Sequence, residues 1–172
     1  MNGIESYLSR YASIRNILIL FSLIVVINVF LFPVYMPSGE STRPLDIMFG
    51  YSTEEAYSMI CQYGEEGRRS YAKGLLRLDY IYPVIYSLFL GFSIFRLYRN
   101  VLPALLPVAI LVSDYTENTG ILVMLHSWPE ELPLLAGFVG IVTIIKWILV
   151  CIAALVIISG LVLRVRLRWQ GG

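Results

Sequence analysis

The chain has 172 residues, 58% hydrophobic and 15% charged, with a net charge of +1 and a mean hydropathy of +0.73. A soluble domain is about 45–50% apolar and roughly 25% charged, so a soluble globule is excluded, and so is a disordered chain. The small net charge offers no basic field for nucleic acid, and two cysteines cannot build a disulfide framework. The composition is that of an all-α polytopic membrane protein whose first partner is the lipid bilayer.

A hydrocarbon core about 30 Å thick is crossed by roughly 20 helical residues. The first such stretch lies between Arg15 and Glu40, where no charge interrupts the chain, and span one is predicted over about 17–35. It is too long for a signal peptide and lacks a small-residue cleavage pattern. A polar segment, about 36–78, follows. Within it Ser52-Thr53-Glu54-Glu55 forms a capping box in sequence, Gly64 suits a helix stop, and Ala56, Met59, Ile60 and Tyr63 share one helical face. A second helix is predicted from Glu65 to Leu78, running on into span two with Gly67 and Gly74 as weak points. Spans two, three and four are expected over about 79–97, 102–125 and 134–163. The expected fold is a four-transmembrane-helix bundle, one membrane domain over 1–172, with an external helical lid between spans one and two.

Orientation follows from the basic residues flanking the spans. Arg10, Arg15, Arg96, Arg99, Arg164, Arg166 and Arg168 lie on one side, opposed only by Glu5. The short loop from His126 to Pro133 carries Glu130 and Glu131 and no Lys or Arg. Both termini are therefore expected in the cytoplasm and the lid outside the cell membrane, although Arg43, Arg68, Arg69, Lys73 and Arg77 in the lid run against that placement.

Several groups stand where a membrane helix disfavours them. An ionisable side chain at mid-bilayer costs about 2.5–3.5 kcal/mol on insertion scales and normally turns inward to a partner. Asp114 and Lys146 each lie about twelve residues into spans three and four, which run in opposite directions, so both fall near mid-depth. Glu117 and Asn118 follow Asp114 at helical spacing and share its face. In span two, Asp79, Tyr82, Pro83 and Tyr86 form a similar row, and Thr143 stands one turn before Lys146. These groups predict a polar cavity beneath the lid, lined by Asp79, Tyr82, Tyr86, Asp114, Glu117, Asn118, Thr143 and Lys146. With one Lys for two neighbouring acids, charge balance calls for a proton or a bound cation. The competing reading is interhelical glue, which needs only one pair. Asn28 reads as a packing hydrogen bond, and Trp128 and Trp169 as interface residues. With His126 alone no His-based metal site is expected. No cofactor is expected, and Cys61 and Cys151 lie at different depths.

Gly50-Tyr51-Ser52, Glu55-Ala56, Gly67-Arg68 with Tyr71, Asp79-Tyr80-Ile81-Tyr82-Pro83 with Tyr86, Asp114-Tyr115-Thr116-Glu117-Asn118 and Thr143 with Lys146-Trp147 together resemble a group of uncharacterised four-span bacterial and archaeal membrane proteins. That likeness covers about residues 45 to 150 and implies a shared site without an activity. In span order, and in the acid-then-proline arrangement of Asp79 and Pro83, the chain also resembles the emopamil-binding and sigma-2 receptor group more distantly. This second likeness implies membrane-buried acids that bind cationic or sterol-like ligands.

The function expected first is binding of a small amphipathic or lipid-like ligand in the cavity. The alternative is a membrane enzyme in which Asp114 or Glu117 serves as general acid/base while Lys146 or Tyr86 polarises the substrate. Four spans without an internal repeat are few for a transporter acting alone, so proton-coupled transport would call for a homodimer. A purely structural subunit is the remaining class.

Overall fold

The computed structural model describes residues 3–35 and 43–170, so residues 36–42 at the start of the expected lid lie outside the described residues. Its elements are all helical, and four helices are long and apolar enough to cross a membrane. They form the expected four-helix bundle.

Span one runs over Ile14–Tyr35 and is capped by Ser13, whose hydroxyl accepts from the Asn16 amide at 3.2 Å. At Ile27–Leu31 it widens into a π turn. Ile27 is its only buried side chain. A short helix at Gly3–Tyr11 precedes it. That helix buries Leu8 and sets Tyr7 against Phe92, their ring centroids 6.4 Å apart. It was not anticipated, although Ile4, Tyr7, Leu8 and Tyr11 repeat at helical spacing.

The lid helix, Thr53–Gln62, carries the full capping box: Ser52 accepts from the Glu55 amide at 3.2 Å, and the Ser52 amide donates to Glu55 at 2.7 Å. Gly64, at φ +63°, turns the chain into the next helix. That helix, Gly64–Gly74, continues through a π turn at Leu75–Asp79 before span two resumes at Tyr82–Tyr98. The discontinuity therefore falls at 75–81 and not at Gly67. Pro83 explains it, since a proline ring collides with the carbonyl four residues back and offers that carbonyl no N–H. The carbonyl is that of Asp79, and Asn118 Nδ2 of span three donates to it at 3.1 Å. Gly74 has a different role: a side chain there would begin 2.8 Å from Tyr35 Cβ, so glycine lets span one approach the helix.

Span three is Val101–Ser127 and span four lies in the helix Pro133–Leu167, both longer than expected at their ends. Spans three and four pack most closely against each other. Span two lies against both, while span one leans chiefly on span two. Gly120 permits the tightest crossing, because a Cβ there would lie 2.2 Å from Val139 Cγ2. Two cores result. Beneath the lid, Leu45, Ile60, Tyr71 and Leu75 pack with Ile121, Met124 and Val139. Toward the opposite face, Phe92, Ile94, Phe95, Ile110 and Ala153 close the bundle. Burying an aliphatic or aromatic side chain contributes roughly 1.5–3 kcal/mol each, so the core beneath the lid holds it to the spans.

Candidate functional site

The antiparallel pairing of spans three and four brings Glu117 and Lys146 into a buried ion pair. Glu117 is fully buried; its Oε2 meets Lys146 Nζ, and its Oε1 accepts from Thr143 Oγ1 at 2.7 Å. Lys146 Nζ also donates to the backbone carbonyl of Asp46 at 2.8 Å. An ion pair out of water is tolerated only with further hydrogen bonds, and here both Glu117 oxygens are engaged and Lys146 has a second acceptor.

Beside this pair lies a cavity of about 690 Å³. Span two supplies its back wall through Asp79, Tyr82 and Tyr86, with Phe89 and Leu90 below. Asp114 enters from span three, Lys146, Trp147 and Val150 from span four, and Ile24, Asn28 and Phe32 from span one. The strap around Pro44, Asp46 and Ile47 forms the roof. Asp114 is held on both oxygens: Tyr86 Oη donates to Oδ2 at 2.5 Å and Asn118 Nδ2 to Oδ1 at 2.7 Å. Tyr82 Oη accepts from Asn28 Nδ2 at 2.8 Å. The Tyr71 hydroxyl donates to Asp46 Oδ1. Asp79 differs from all of these. It is only 5% exposed, it lines the cavity, and among the described residues no group donates to its carboxylate.

Four buried acids, Asp46, Asp79, Asp114 and Glu117, thus stand against the single buried cation Lys146 among the described residues. Since Glu117 takes the lysine, the excess of acid falls on the cavity. A carboxylate in such surroundings needs a donor or a cation. Beyond the spans, burial pushes the phenols of Tyr51 and Tyr63 well above their usual range, so both stay neutral hydrogen-bonding groups in the lid. Tyr63 donates to the Arg43 carbonyl at 2.5 Å, whereas the Tyr51 hydroxyl is buried without a partner among the described residues.

The structure divides the expected site residues into two layers. Asp79, Tyr82, Tyr86, Asp114 and Lys146 line the cavity. Glu117, Asn118 and Thr143 do not; they stand behind it and hold Lys146, Asp114 and the Asp79 carbonyl. Of the two acids considered for general acid/base work, Asp114 alone reaches the space where a substrate would lie. Asp46, Asn28 and Trp147 line the cavity without having been expected there. A signal for Asp46 existed: it interrupts the otherwise apolar run Leu45 to Phe49, which a solvated loop would not carry.

A second groove of about 530 Å³ lies on the outer side of spans three and four. Its hydroxyls are all engaged, Thr116 with the Val112 carbonyl at 2.8 Å, Thr119 with the Tyr115 carbonyl at 2.7 Å and the Tyr80 hydroxyl at 2.9 Å, and Tyr115 with the Tyr80 carbonyl at 2.7 Å, which leaves mainly apolar walls. Among the described residues no three His, Cys, Asp or Glu side chains converge to hold a metal ion. No family model matches the chain, and no curated protein or solved structure matches it.

Proposed function

We propose that this chain is a membrane-embedded binding protein whose cavity takes a small amphipathic, lipid-like molecule with a cationic, hydrogen-bond-donating head. The observation that carries the reading is the Asp79 carboxylate, buried at the cavity wall with no donor among the described residues. Asp114 stands beside it as a second anchor, and Phe32, Phe89, Leu90 and Val150 offer apolar walls to a tail. In this reading the lid faces outward from the cell membrane and both termini are cytoplasmic, as the distribution of arginines favours.

The test compares dodecylamine, dodecanol and dodecanoate with the purified protein. The amine should bind at least tenfold more tightly than the alcohol, a difference of about 1.4 kcal/mol, and the carboxylate should not bind. Asp79→Asn should abolish the preference for the amine at an unchanged melting temperature. Equal binding of all three, or an Asp79→Asn protein that keeps the preference, overturns the reading.

One observation favours an enzyme as a second reading. The Tyr86 hydroxyl and the Asp114 carboxylate share a 2.5 Å hydrogen bond at the cavity wall, an arrangement able to pass a proton to a bound substrate. Mass spectrometry of co-purified lipid separates the two, because an enzyme would yield a chemically processed species and a binder an intact one.

A further inference from the structure

The cavity has two candidate doors, the lid and the side of the bundle, and the structure holds them with unequal strength. The lid strap is tied to span four by Lys146 donating to the Asp46 carbonyl at 2.8 Å and Trp147 Nε1 donating to that of Met48 at 2.7 Å. Phe49 packs on Trp147 with ring centroids 4.9 Å apart. At Gly140 a Cβ would stand 2.5 Å from the Tyr51 carbonyl, which shows how closely lid and span meet. Thr53 donates to the Pro133 carbonyl at 3.3 Å, and Tyr71 and Tyr63 bind the strap from below. Opening this roof breaks all of these contacts together.

Span one is held differently. Its lid end is fixed, since Ser70 donates to the Tyr35 carbonyl at 3.2 Å and Gly74 lies tight against Tyr35. Along its middle it has one buried side chain, Ile27, and one polar link to another helix, from Asn28 to Tyr82. That stretch is also where the helix widens into its π turn, Ile27–Leu31. Ile24, Asn28 and Phe32, one helical turn apart, form the cavity's wall on this side, while Trp147 and Val150 form the facing edge on span four. From Ile24 to Phe32 the stripe rises eight residue steps, about 12 Å of helix. Asn28 itself is exposed, an amide set at hydrocarbon depth where polar groups are disfavoured unless they serve the interior. Below, Phe89, Leu90 and the Phe92–Phe95 core close the floor.

We infer that the ligand reaches the cavity sideways from the lid-side leaflet, through a slot between span one and span four, with span one the moving wall and Asn28 its latch. The substrate class is thereby narrowed to amphiphiles dissolved in the bilayer, whose hydrocarbon tail passes through the slot while the head turns in toward Asp79. This inference rests on the binding reading above.

The test follows the rate of dodecylamine association by tryptophan emission, to which the cavity-lining Trp147 contributes. The background is Cys61→Ala/Cys151→Ala, both native thiols being exposed and unpaired. Ile24→Cys/Val150→Cys, bridged by bis-maleimides of graded length, fixes span one to span four. Thr53→Cys/Gly137→Cys, oxidised, fixes the lid, because a Gly137 Cβ would lie 3.8 Å from Thr53 Oγ1. The slot staple should slow association at least tenfold and the lid staple should leave it unchanged. Val150→Trp, which fills the slot without a cross-link, should slow it as well. An unchanged rate with the slot staple and with Val150→Trp, or a rate lost only when the lid is stapled, overturns the route and leaves the binding reading standing. Failure of the unstapled protein to bind dodecylamine at all removes both.

Discussion

Glu117 and Asp79 are buried acids of one small bundle, yet their surroundings differ in kind. Glu117 is enclosed by Lys146 and Thr143, with both oxygens engaged. Asp79 faces a cavity, and among the described residues nothing donates to it. The sequence offers interhelical glue and ligand site as rivals; the structure shows an ion pair joining spans three and four, and on span two an acid that faces a cavity. A buried charge is therefore informative through its partners and not through its burial alone.

Removing a partner from the first region should have the largest effect. Lys146→Met leaves Glu117 buried without a counter-charge and should cost about 3–5 kcal/mol, read as a large fall in melting temperature by circular dichroism in detergent. The double change Lys146→Met/Glu117→Met should recover most of that loss. Tyr71→Phe, at the edge between the regions, strips Asp46 of its donor and should cost about 1–3 kcal/mol. Hydrogen exchange should rise in the strap around 43–52 and stay unchanged in span three. Ser52→Ala removes the lid's helix cap, at a cost of about 1 kcal/mol confined to the lid helix. Asp79→Asn should change stability least, within about 0.5 kcal/mol, since among the described residues its carboxylate has no partner to lose. A loss there as large as that of Lys146→Met would erase the distinction between the two regions.

Much of this was legible from residue order. Charge-free runs of span length marked the four helices, and the lid's capping box formed as written. Asp114, Glu117 and Lys146 converged because two antiparallel spans joined by a short loop must match their depths. The rest depended on contacts that no local pattern specifies. Nothing in its immediate neighbours ties Asp46 to the spans, because only the folded lid shows the strap carrying it under the roof. The pairing of Lys146 with Glu117 in preference to Asp114 turns on the rotation of span three, which one helical turn of spacing leaves open. The Gly3–Tyr11 helix has its apolar stripe in sequence, but it is short and precedes a far stronger hydrophobic signal.

Pro83 has a reach well beyond its own turn. By denying the Asp79 carbonyl a helical N–H, it makes span two depend on span three for that bond, through Asn118, the same amide that steadies Asp114. One imino ring thus interrupts span two and couples two neighbouring rods. The irregular backbone of span two and the hold on Asp114 meet in one amide, so straightening the first would disturb the second.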